Sequence, residues 1–262
     1  MVTITVCELP DFEAQSFETQ FDALVEHTRS HDSDIVVLPE MPFSPWLAAS
    51  KPSDSVDTAW ADAEITHEQW QDKLDAFETT TVVYSRPATR DGRRVNEGVI
   101  RTHDQTRGVH LKHYLPDEPG FWEATWYEAG GQEFEPVACA GIKSGLLVCT
   151  DLWASNEIRE YAQADVGLLI NPRVTERRTT EKWLAGSQTM GVLAGAYLAS
   201  SNRAGAADGV TFGGNGWVIS PDGSVLARTD SDHPFATTEI DPDIAESAKS
   251  TYPRDALGRA GE

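Results

Sequence analysis

The apolar run GLLVC at residues 145–149 ends in a cysteine, and the residues Thr-Asp-Leu-Trp follow at once. A cysteine attacks as its thiolate, so a nucleophilic cysteine needs a base or a cation nearby and donors for the oxyanion that forms. Histidine is the usual base, but the seven histidines of this chain lie in polar, loop-like stretches or beside a lysine. Cys149 is therefore either a small core residue at the end of a strand or a nucleophile that carboxylates and a lysine serve.

Two further stretches place charged residues where a strand breaks off. In DIVVLPEMPFSPW, residues 34–46, a proline ends an apolar strand and leaves Glu40 just past its carboxyl end. Functional groups gather at the carboxyl ends of strands in open α/β sheets, although a glutamate in a turn can also be merely solvated. In HLKHYLPDEPGFWEATWYEAG, residues 110–130, Lys112 precedes a Leu-Pro break and Glu123 lies among aromatic residues. A lone lysine is most often a surface charge, but this one is among only six in the chain.

Strand patterns alternate with helical patterns along the chain, and together they must position these residues. Apolar, β-branched runs predict strands at residues 2–7, 35–38, 81–84, 97–100, 145–149, 166–170, 197–201, 216–219 and 224–227. Apolar residues at helical spacing predict helices over residues 17–28, 70–77 and 180–193, and a further helix begins near Ser155. A Pro-Asp-Gly sequence at residues 221–223 predicts a hairpin turn. The mixture predicts an α/β protein with one or two sheets covered by helices.

The charge of the chain restricts its partners and its environment. It has 42 acidic and 21 basic residues, a net charge of −21 and a pI near 4.6. The acidic residues are scattered through a chain of ordinary apolar content, which is typical of a folded protein from a high-salt cytoplasm and not of a disordered tail. Such a surface repels phosphate backbones, so nucleic acid is not expected as a partner.

Length and composition predict a single cytoplasmic domain. The 262 residues contain no Pro/Gly/Ser-rich linker and no internal repeat, so we expect one domain over residues 1–262. No stretch has the length and apolar character of a membrane span, and the N-terminus lacks a basic leader. The cysteines Cys7, Cys139 and Cys149 are odd in number and form no CxxC pair, so neither a disulfide framework nor a metal site is expected.

Three of these stretches, in their order and spacing, resemble the Glu-Lys-Cys triad of the nitrilase superfamily, the carbon-nitrogen hydrolases. They are LPE after an apolar strand, HxKxxLP in mid-chain, and an apolar strand that ends in VCTD. Downstream, LLINPRVT, GAYLASSNRAG and FGGNGWVISPDGSVLA are similar to later segments of the family, so the resemblance covers roughly residues 1–240. Each motif is common alone, but the ordered combination is specific.

The resemblance implies a fold and a set of catalytic roles. The implied fold is a four-layer αββα sandwich, in which two sheets pack face to face. Glu40 is implied as the general base and Cys149 as the nucleophile. Lys112 and the backbone N–H of Thr150 are implied as oxyanion donors, with Glu123 orienting the lysine. No metal or organic cofactor is implied.

The resemblance also implies an association between subunits. Family members form homodimers or larger homo-oligomers, so we expect the C-terminal tail, residues 241–262, to contact a partner subunit. The alternative is a frayed, charged terminus.

The predicted reaction is the hydrolysis of an amide or carbamoyl substrate by water through a cysteine thioester. Nitrilases usually carry Trp-Glu after the nucleophile, whereas this chain has Thr150 and Asp151, which favours an amide over a nitrile. The predicted substrate-binding residues are Trp46, Trp122, Trp153 and Arg173. Arg173 is expected to hold a substrate carboxylate, or else to form a surface ion pair.

Three other functions stay open from the sequence. They are a nitrilase that acts on a small nitrile, an N-acyltransferase, and a non-catalytic binding protein of the same fold. The lipoprotein acyltransferase branch would need membrane spans, which this chain lacks. A non-catalytic relative is expected to have lost at least one of Glu40, Lys112 and Cys149, and this chain keeps all three.

Overall fold

A computed structural model describes residues 1–52, 55–78, 80–132 and 134–259. The strands are β1 (Val2–Pro10), β2 (Ile35–Val37), β3 (Thr81–Arg90), β4 (Arg93–Arg101), β5 (Thr106–Leu111), β6 (Val137–Cys139), β7 (Ile142–Leu146), β8 (Leu168–Arg173), β9 (Tyr197–Ala204), β10 (Ala206–Ala207), β11 (Val210–Thr211), β12 (Trp217–Ile219), β13 (Val225–Arg228) and β14 (Phe235–Ile240). The α-helices are α1 (Phe17–Ser30), α2 (Val56–Gln69), α3 (Gln71–Leu74), α4 (Glu123–Trp126), α5 (Ser155–Gln163), α6 (Thr180–Ala194), α7 (Pro242–Ala248) and α8 (Arg254–Arg259). Within the described residues, no helix is long and apolar enough to cross a membrane.

The strands form two halves that share β1. One half has the order β5-β4-β3-β2-β1-β14, and the other has the order β13-β12-β9-β8-β7-β6. The first part of β1 pairs with β14 and β2, whereas its last residues, from Glu8 to Pro10, pair with β9. The two halves therefore continue into each other at one end and face each other elsewhere.

Alternating side chains on the strands build the core on both faces of each half. In β2, Ile35 and Val37 pack between the two sheets, whereas Val36 faces the layer that contains Phe17 and Phe21 of α1. The other half shows the same division, with one face between the sheets and the other under α5 and α6. Burying each of these apolar side chains contributes about 1.5–3 kcal/mol. The architecture is helix, sheet, sheet and helix, which confirms the predicted four-layer sandwich.

Most of the predicted elements are present, and the ones that the sequence analysis missed have weak apolar patterns. The hairpin at residues 221–223, the helix that begins at Ser155, and α6 are confirmed. The strands β10 and β11 and the helices α4, α7 and α8, all short, were not predicted, and neither were the strands β5, β6 and β14 and the helix α2. These last four elements carry polar or half-exposed residues along much of their length, so their periodicity is faint.

The described part of the C-terminal tail packs on its own chain. Ala245 and Ala248 of α7 are buried, and the Lys249 ammonium donates to two backbone carbonyl oxygens, those of Val166 at 2.5 Å and Ala194 at 2.6 Å. The tail is therefore not frayed through α7. Its contact with a partner subunit stays a prediction, and residues 260–262 of the predicted tail lie outside the described residues.

Candidate active site

Glu40 lies directly after β2, in a segment that cannot continue the strand. The N–H of Leu38 still donates to the carbonyl oxygen of Val83, at 2.8 Å. Pro39 has no N–H, so the ladder of hydrogen bonds ends there. The chain then turns, and Met41 takes a positive φ of 43°. This turn brings the Glu40 side chain into the interior, where it is fully buried.

Lys112 lies one residue beyond β5, and its backbone hydrogen bonds fix its position. Its N–H donates to the carbonyl oxygen of Asn96 at 2.9 Å, and its carbonyl oxygen accepts from the N–H of Gly130 at 2.8 Å. Position 130 requires glycine, because a Cβ there would lie 2.4 Å from the carbonyl oxygen of Leu111. The neighbouring strand and the returning loop therefore hold Lys112 from two sides.

The ammonium group of Lys112 contacts both predicted carboxylates. Its Nζ lies 2.7 Å from Glu40 Oε1, and it also donates to Glu123 Oε2. All three side chains are fully buried, so each charge depends on its partners for stabilisation. An ammonium has three N–H donors, and two are used here, which leaves one for a substrate oxygen.

Cys149 is the first residue of a 3₁₀ turn and takes a strained backbone conformation. The strand β7 ends at Leu146, so the prediction of a strand through Cys149 is wrong. The physical reason is a local hydrogen bond, since Val148 N–H donates to the Asp151 carboxylate at 3.2 Å. The φ of Cys149 is 48°, in a region that costs a non-glycine residue about 1–3 kcal/mol and that is typical of functional sites.

The backbone of Val174 joins the predicted base to the predicted nucleophile. Its N–H donates to Glu40 Oε2 at 3.1 Å, and its carbonyl oxygen accepts from the Cys149 thiol, with Sγ and O 3.4 Å apart. From β8, Asn171 Nδ2 donates to the carbonyl oxygens of Cys149 and Leu147, at 3.1 and 2.8 Å. The residue that follows β8 therefore holds the carboxylate through its N–H and the thiol through its carbonyl oxygen.

Two neutral donors fix the orientation of the carboxylates. Asn96 Nδ2 donates to Glu40 Oε1 at 2.7 Å, and the Tyr127 hydroxyl donates to Glu123 Oε2. Glu123 begins α4, and Tyr127 follows the end of that helix with an extended backbone. Each carboxylate thus contacts the ammonium of Lys112 and one neutral side-chain donor.

Burial and charge together set the protonation of the site. Burial alone would lower the pKa of Lys112, but Glu123 and Glu40 outweigh it and raise that pKa above its ordinary value. Burial raises the pKa of Glu123 to about 7, although Lys112 opposes the rise. Burial and the Glu40 charge raise the pKa of Cys149 well above its ordinary range. At neutral pH the lysine is therefore an ammonium and the cysteine a thiol, so attack requires a base that accepts the thiol proton.

Arg203 holds the loop that carries Glu40. Its guanidinium is buried and donates to the carbonyl oxygens of Met41 at 2.7 Å and Ser44 at 3.1 Å. Asp11 lies 2.5 Å from Nη1 of Arg203 and neutralises the buried charge. The planar fork of arginine reaches several acceptors at once, which an ammonium on a flexible chain cannot do with the same geometry.

Asp151 ties the turn of the nucleophile to the segment of the lysine. Its Oδ1 accepts from the backbone N–H groups of His113 and Tyr114, at 3.1 and 3.0 Å. Its Oδ2 lies 2.8 Å from His110 Nε2 and also accepts the bond from the N–H of Val148. Asp151 is fully buried, so it positions these two segments and does not line the cleft.

The thiol of Cys149 opens onto a cleft of about 260 Å³. Thr150 and Val174 also line it, and three aromatic side chains provide apolar surface, namely Phe121, Trp153 and Trp183. The volume lies below the range of about 300–1,000 Å³ that is usual for drug-sized ligands. The cleft therefore fits a small substrate.

Comparison with known proteins identifies the family to which this site belongs. A family model described as carbon-nitrogen hydrolase matches residues 4–250. The chain belongs to the carbon-nitrogen hydrolase family. This carbon-nitrogen hydrolase is 25% identical over 236 residues to an (R)-stereoselective amidase of Pseudomonas sp, and the match covers 86% of the chain and 79% of the amidase.

Two further comparisons concern length and fold. The carbon-nitrogen hydrolase is 26% identical over 147 residues to a glutamine-dependent NAD(+) synthetase of Acinetobacter baylyi, a match over 55% of the chain that spans only 27% of the synthetase. Its structure resembles that of a carbon-nitrogen hydrolase from Helicobacter pylori, with a TM-score of 0.86, 22% identity and coverage of 97% and 94% of the two chains. The second comparison shows that the two proteins share a fold.

The structure of the carbon-nitrogen hydrolase brings most of the predicted catalytic residues into direct contact. Glu40, Lys112 and Glu123 form one buried cluster, Cys149 is linked to Glu40 through the backbone of Val174, and Thr150 lines the cleft. The roles that the resemblance implies for them stay predictions.

The predicted substrate-binding tryptophans differ in their position relative to the cleft. Trp153 lines the cleft. Trp46 is buried, and its Nε1 donates to the carbonyl oxygen of Gly120 at 2.9 Å. Trp122 lies beneath the ammonium of Lys51, at 4.2 Å from its ring centroid. Within the described residues, neither Trp46 nor Trp122 is part of the cleft lining.

Arg173 is placed differently from both sequence-based expectations. It is fully buried, its guanidinium lies 3.9 Å above the ring of Trp217, and it donates to Ser200 Oγ and Thr175 Oγ1, both at 2.9 Å, and to the carbonyl oxygen of Asn215. The prediction that Arg173 holds a substrate carboxylate is therefore wrong in this structure, because its donors are used inside the protein.

Proposed function

We propose that the protein hydrolyses a small amide through an acyl-thioester on Cys149. The observation that carries this proposal is the backbone of Val174, whose N–H donates to the Glu40 carboxylate and whose carbonyl oxygen accepts from the Cys149 thiol. A base and a nucleophile held in this way, with an ammonium 2.7 Å from the base, form the set of groups that acyl transfer requires.

In the first half of the reaction, Glu40 accepts the thiol proton as Sγ of Cys149 attacks the amide carbon. The new oxyanion accepts from the remaining N–H of Lys112 and from the backbone N–H of Thr150. When the C–N bond breaks, the carboxyl group of Glu40 returns its proton to the leaving ammonia or amine. The product of this half is a thioester on Cys149.

In the second half, water takes the place of the departed amine. Glu40 accepts a proton from the water as its oxygen attacks the thioester carbon, and the same two donors stabilise the second oxyanion. Collapse of that intermediate releases the carboxylic acid, and the thiol of Cys149 regains its proton. Glu123 keeps Lys112 in place throughout, because its carboxylate accepts a hydrogen bond from the Lys112 ammonium.

A panel of small amides, carbamoyl compounds and matching nitriles tests this proposal. We expect ammonia or amine release from amides, with a kcat/KM above that of the nitrile that has the same carbon chain, because Thr150 and Asp151 replace the Trp-Glu of nitrilases. Faster turnover of the nitriles would favour the nitrilase alternative. If the protein binds an amide but releases ammonia or amine from none of the compounds, the non-catalytic alternative is favoured.

The pKa of Glu123 leads to a prediction for the pH dependence of kcat/KM. Burial raises this pKa to about 7, so the carboxyl gains a proton as the pH falls through neutrality and Lys112 then loses one of its two anionic partners. We expect kcat/KM, measured between about pH 5 and pH 9, to fall towards low pH with an apparent pKa near 7. This apparent pKa belongs to the coupled cluster and not to one residue.

Variants of Glu123 and of an exposed neighbour separate the contributions to this profile. In Glu123→Gln the residual kcat/KM should no longer fall near pH 7 as the pH is lowered, because the group that titrates there is gone. The matched control is Glu128→Gln, an exposed residue close in sequence, which should keep the wild-type profile. An unchanged fall in Glu123→Gln would assign the titration to another group.

A further inference from the structure

The cleft beside Cys149 contains charged side chains that the proposed reaction does not use. They are Glu118, Glu176, Arg178 and Lys182. Two of them neutralise each other, since Arg178 Nε lies 2.5 Å from Glu176 Oε2. A substrate charge at the cleft therefore meets chiefly the other two.

Glu118 and Lys182 are exposed at the cleft and have unneutralised charges. Within the described residues, neither of them forms an ion pair with another side chain. The Nζ atom of Lys182 lies 5.8 Å from the ring centroid of Trp153, which is itself a wall of the cleft. One carboxylate and one ammonium are thus available to a ligand in the same small space.

This pair of opposite charges favours a ligand that carries both signs. A purely anionic ligand is attracted by Lys182 but repelled by Glu118, and the net charge of −21 repels it at long range. A purely cationic ligand is attracted by Glu118 but repelled by Lys182. A zwitterion satisfies both side chains and has no net charge for the long-range field to act on. Phe121 and Trp183 supply apolar surface for its methylene groups.

We propose that the substrate is the ω-amide of an α-amino acid, of the glutamine or asparagine class. Its α-ammonium binds at Glu118, its α-carboxylate binds at Lys182, and its side-chain amide reaches Cys149. This inference rests on the proposed function, which places the amide carbon at the thiol. Hydrolysis by one water molecule then releases ammonia and leaves the corresponding dicarboxylic amino acid.

Four amides with related chains test the inference. Glutamine carries both charges, glutaric acid monoamide carries only the carboxylate, 4-aminobutanamide carries only the ammonium, and pentanamide carries neither. Two quantities are measured for each compound, namely kcat/KM for ammonia release by the wild-type protein and the Kd for binding to Cys149→Ala by calorimetry. We expect glutamine to have a kcat/KM about three- to tenfold higher, and a Kd about three- to tenfold lower, than each singly charged amide, as for an ion pair partly shielded from water.

Charge-removing variants assign each end of the substrate. Lys182→Gln should weaken the binding of glutamine and of glutaric acid monoamide by about three- to tenfold and leave the binding of 4-aminobutanamide unchanged. Glu118→Gln should weaken the binding of glutamine and of 4-aminobutanamide and leave the binding of glutaric acid monoamide unchanged. The matched controls are Arg177→Gln and Asp117→Asn, exposed neighbours that do not line the cleft and should change nothing.

The two readouts separate failure of this inference from failure of the proposed function. If pentanamide is hydrolysed and bound at least as well as glutamine, amide hydrolysis stands and the amino-acid subsite is wrong. If glutamine binds to Cys149→Ala with the expected dependence on Glu118 and Lys182 but the wild-type protein releases no ammonia from any amide, the subsite stands and the proposed reaction is wrong.

Discussion

The Cys149→Ala variant is expected to release no ammonia or amine from any amide that the wild-type protein hydrolyses. The substitution removes the sulfur atom on which the proposed acyl-thioester forms, while Glu40 and Lys112 keep their ion pair. Loss of a catalytic nucleophile lowers kcat by at least about 10⁴-fold, so the residual rate should not exceed background. The measurement is ammonia release under saturating substrate, with a thermal melt to show that the variant is folded.

A second cysteine provides the control for this variant. Cys139 is buried in β6 and, within the described residues, is not among the walls of the cleft. Cys139→Ala should therefore keep kcat, even if it lowers the melting temperature. Hydrolysis that persists undiminished in Cys149→Ala would show that the thiol is not the nucleophile.

Replacing Lys112 has two large effects, on catalysis and on stability. Lys112→Met removes the proposed oxyanion donor, so we expect kcat to fall by about a hundredfold or more. It also leaves Glu40 and Glu123 buried without their shared cation, which is expected to lower the free energy of unfolding by about 3–5 kcal/mol. Steady-state kinetics and urea unfolding measure the two effects independently.

A double variant separates these two effects of the lysine. Glu123→Gln in the Lys112→Met background removes one of the two unpaired charges, so it should recover part of the stability without recovering kcat. Lys143→Met, at an exposed lysine, is the matched control and should change neither quantity. Recovery of kcat together with stability in the double variant would mean that Lys112 acts only through folding.

The sequence was informative where a residue's neighbours along the chain determine its place. Pro39 ends β2 by lacking a donor, and this local fact is enough to place Glu40 at a strand end. The contact between Tyr127 and Glu123 spans only four residues, but α4 ends at Trp126 and Tyr127 is extended, so a helical pattern in the sequence does not predict it.

Contacts between distant segments were not readable from the sequence alone. Asn96 reaches Glu40 and Lys112 because of the pairing between β4 and the end of β5, and Val174 contacts both Glu40 and Cys149 because of where β8 ends. Neither position has a residue type that suggests chemistry. Arg173 shows the opposite problem, since its type suits substrate binding but its place in the sheet directs its donors into the protein.

The most direct test of the proposed mechanism is intact-protein mass spectrometry of the enzyme quenched in acid during turnover of an amide. The predicted result is a mass increase equal to the substrate minus ammonia, which peptide mapping locates on Cys149 and which is absent from Cys149→Ala. Turnover without such an adduct, or with an adduct on Cys7 or Cys139, would contradict a thioester at Cys149.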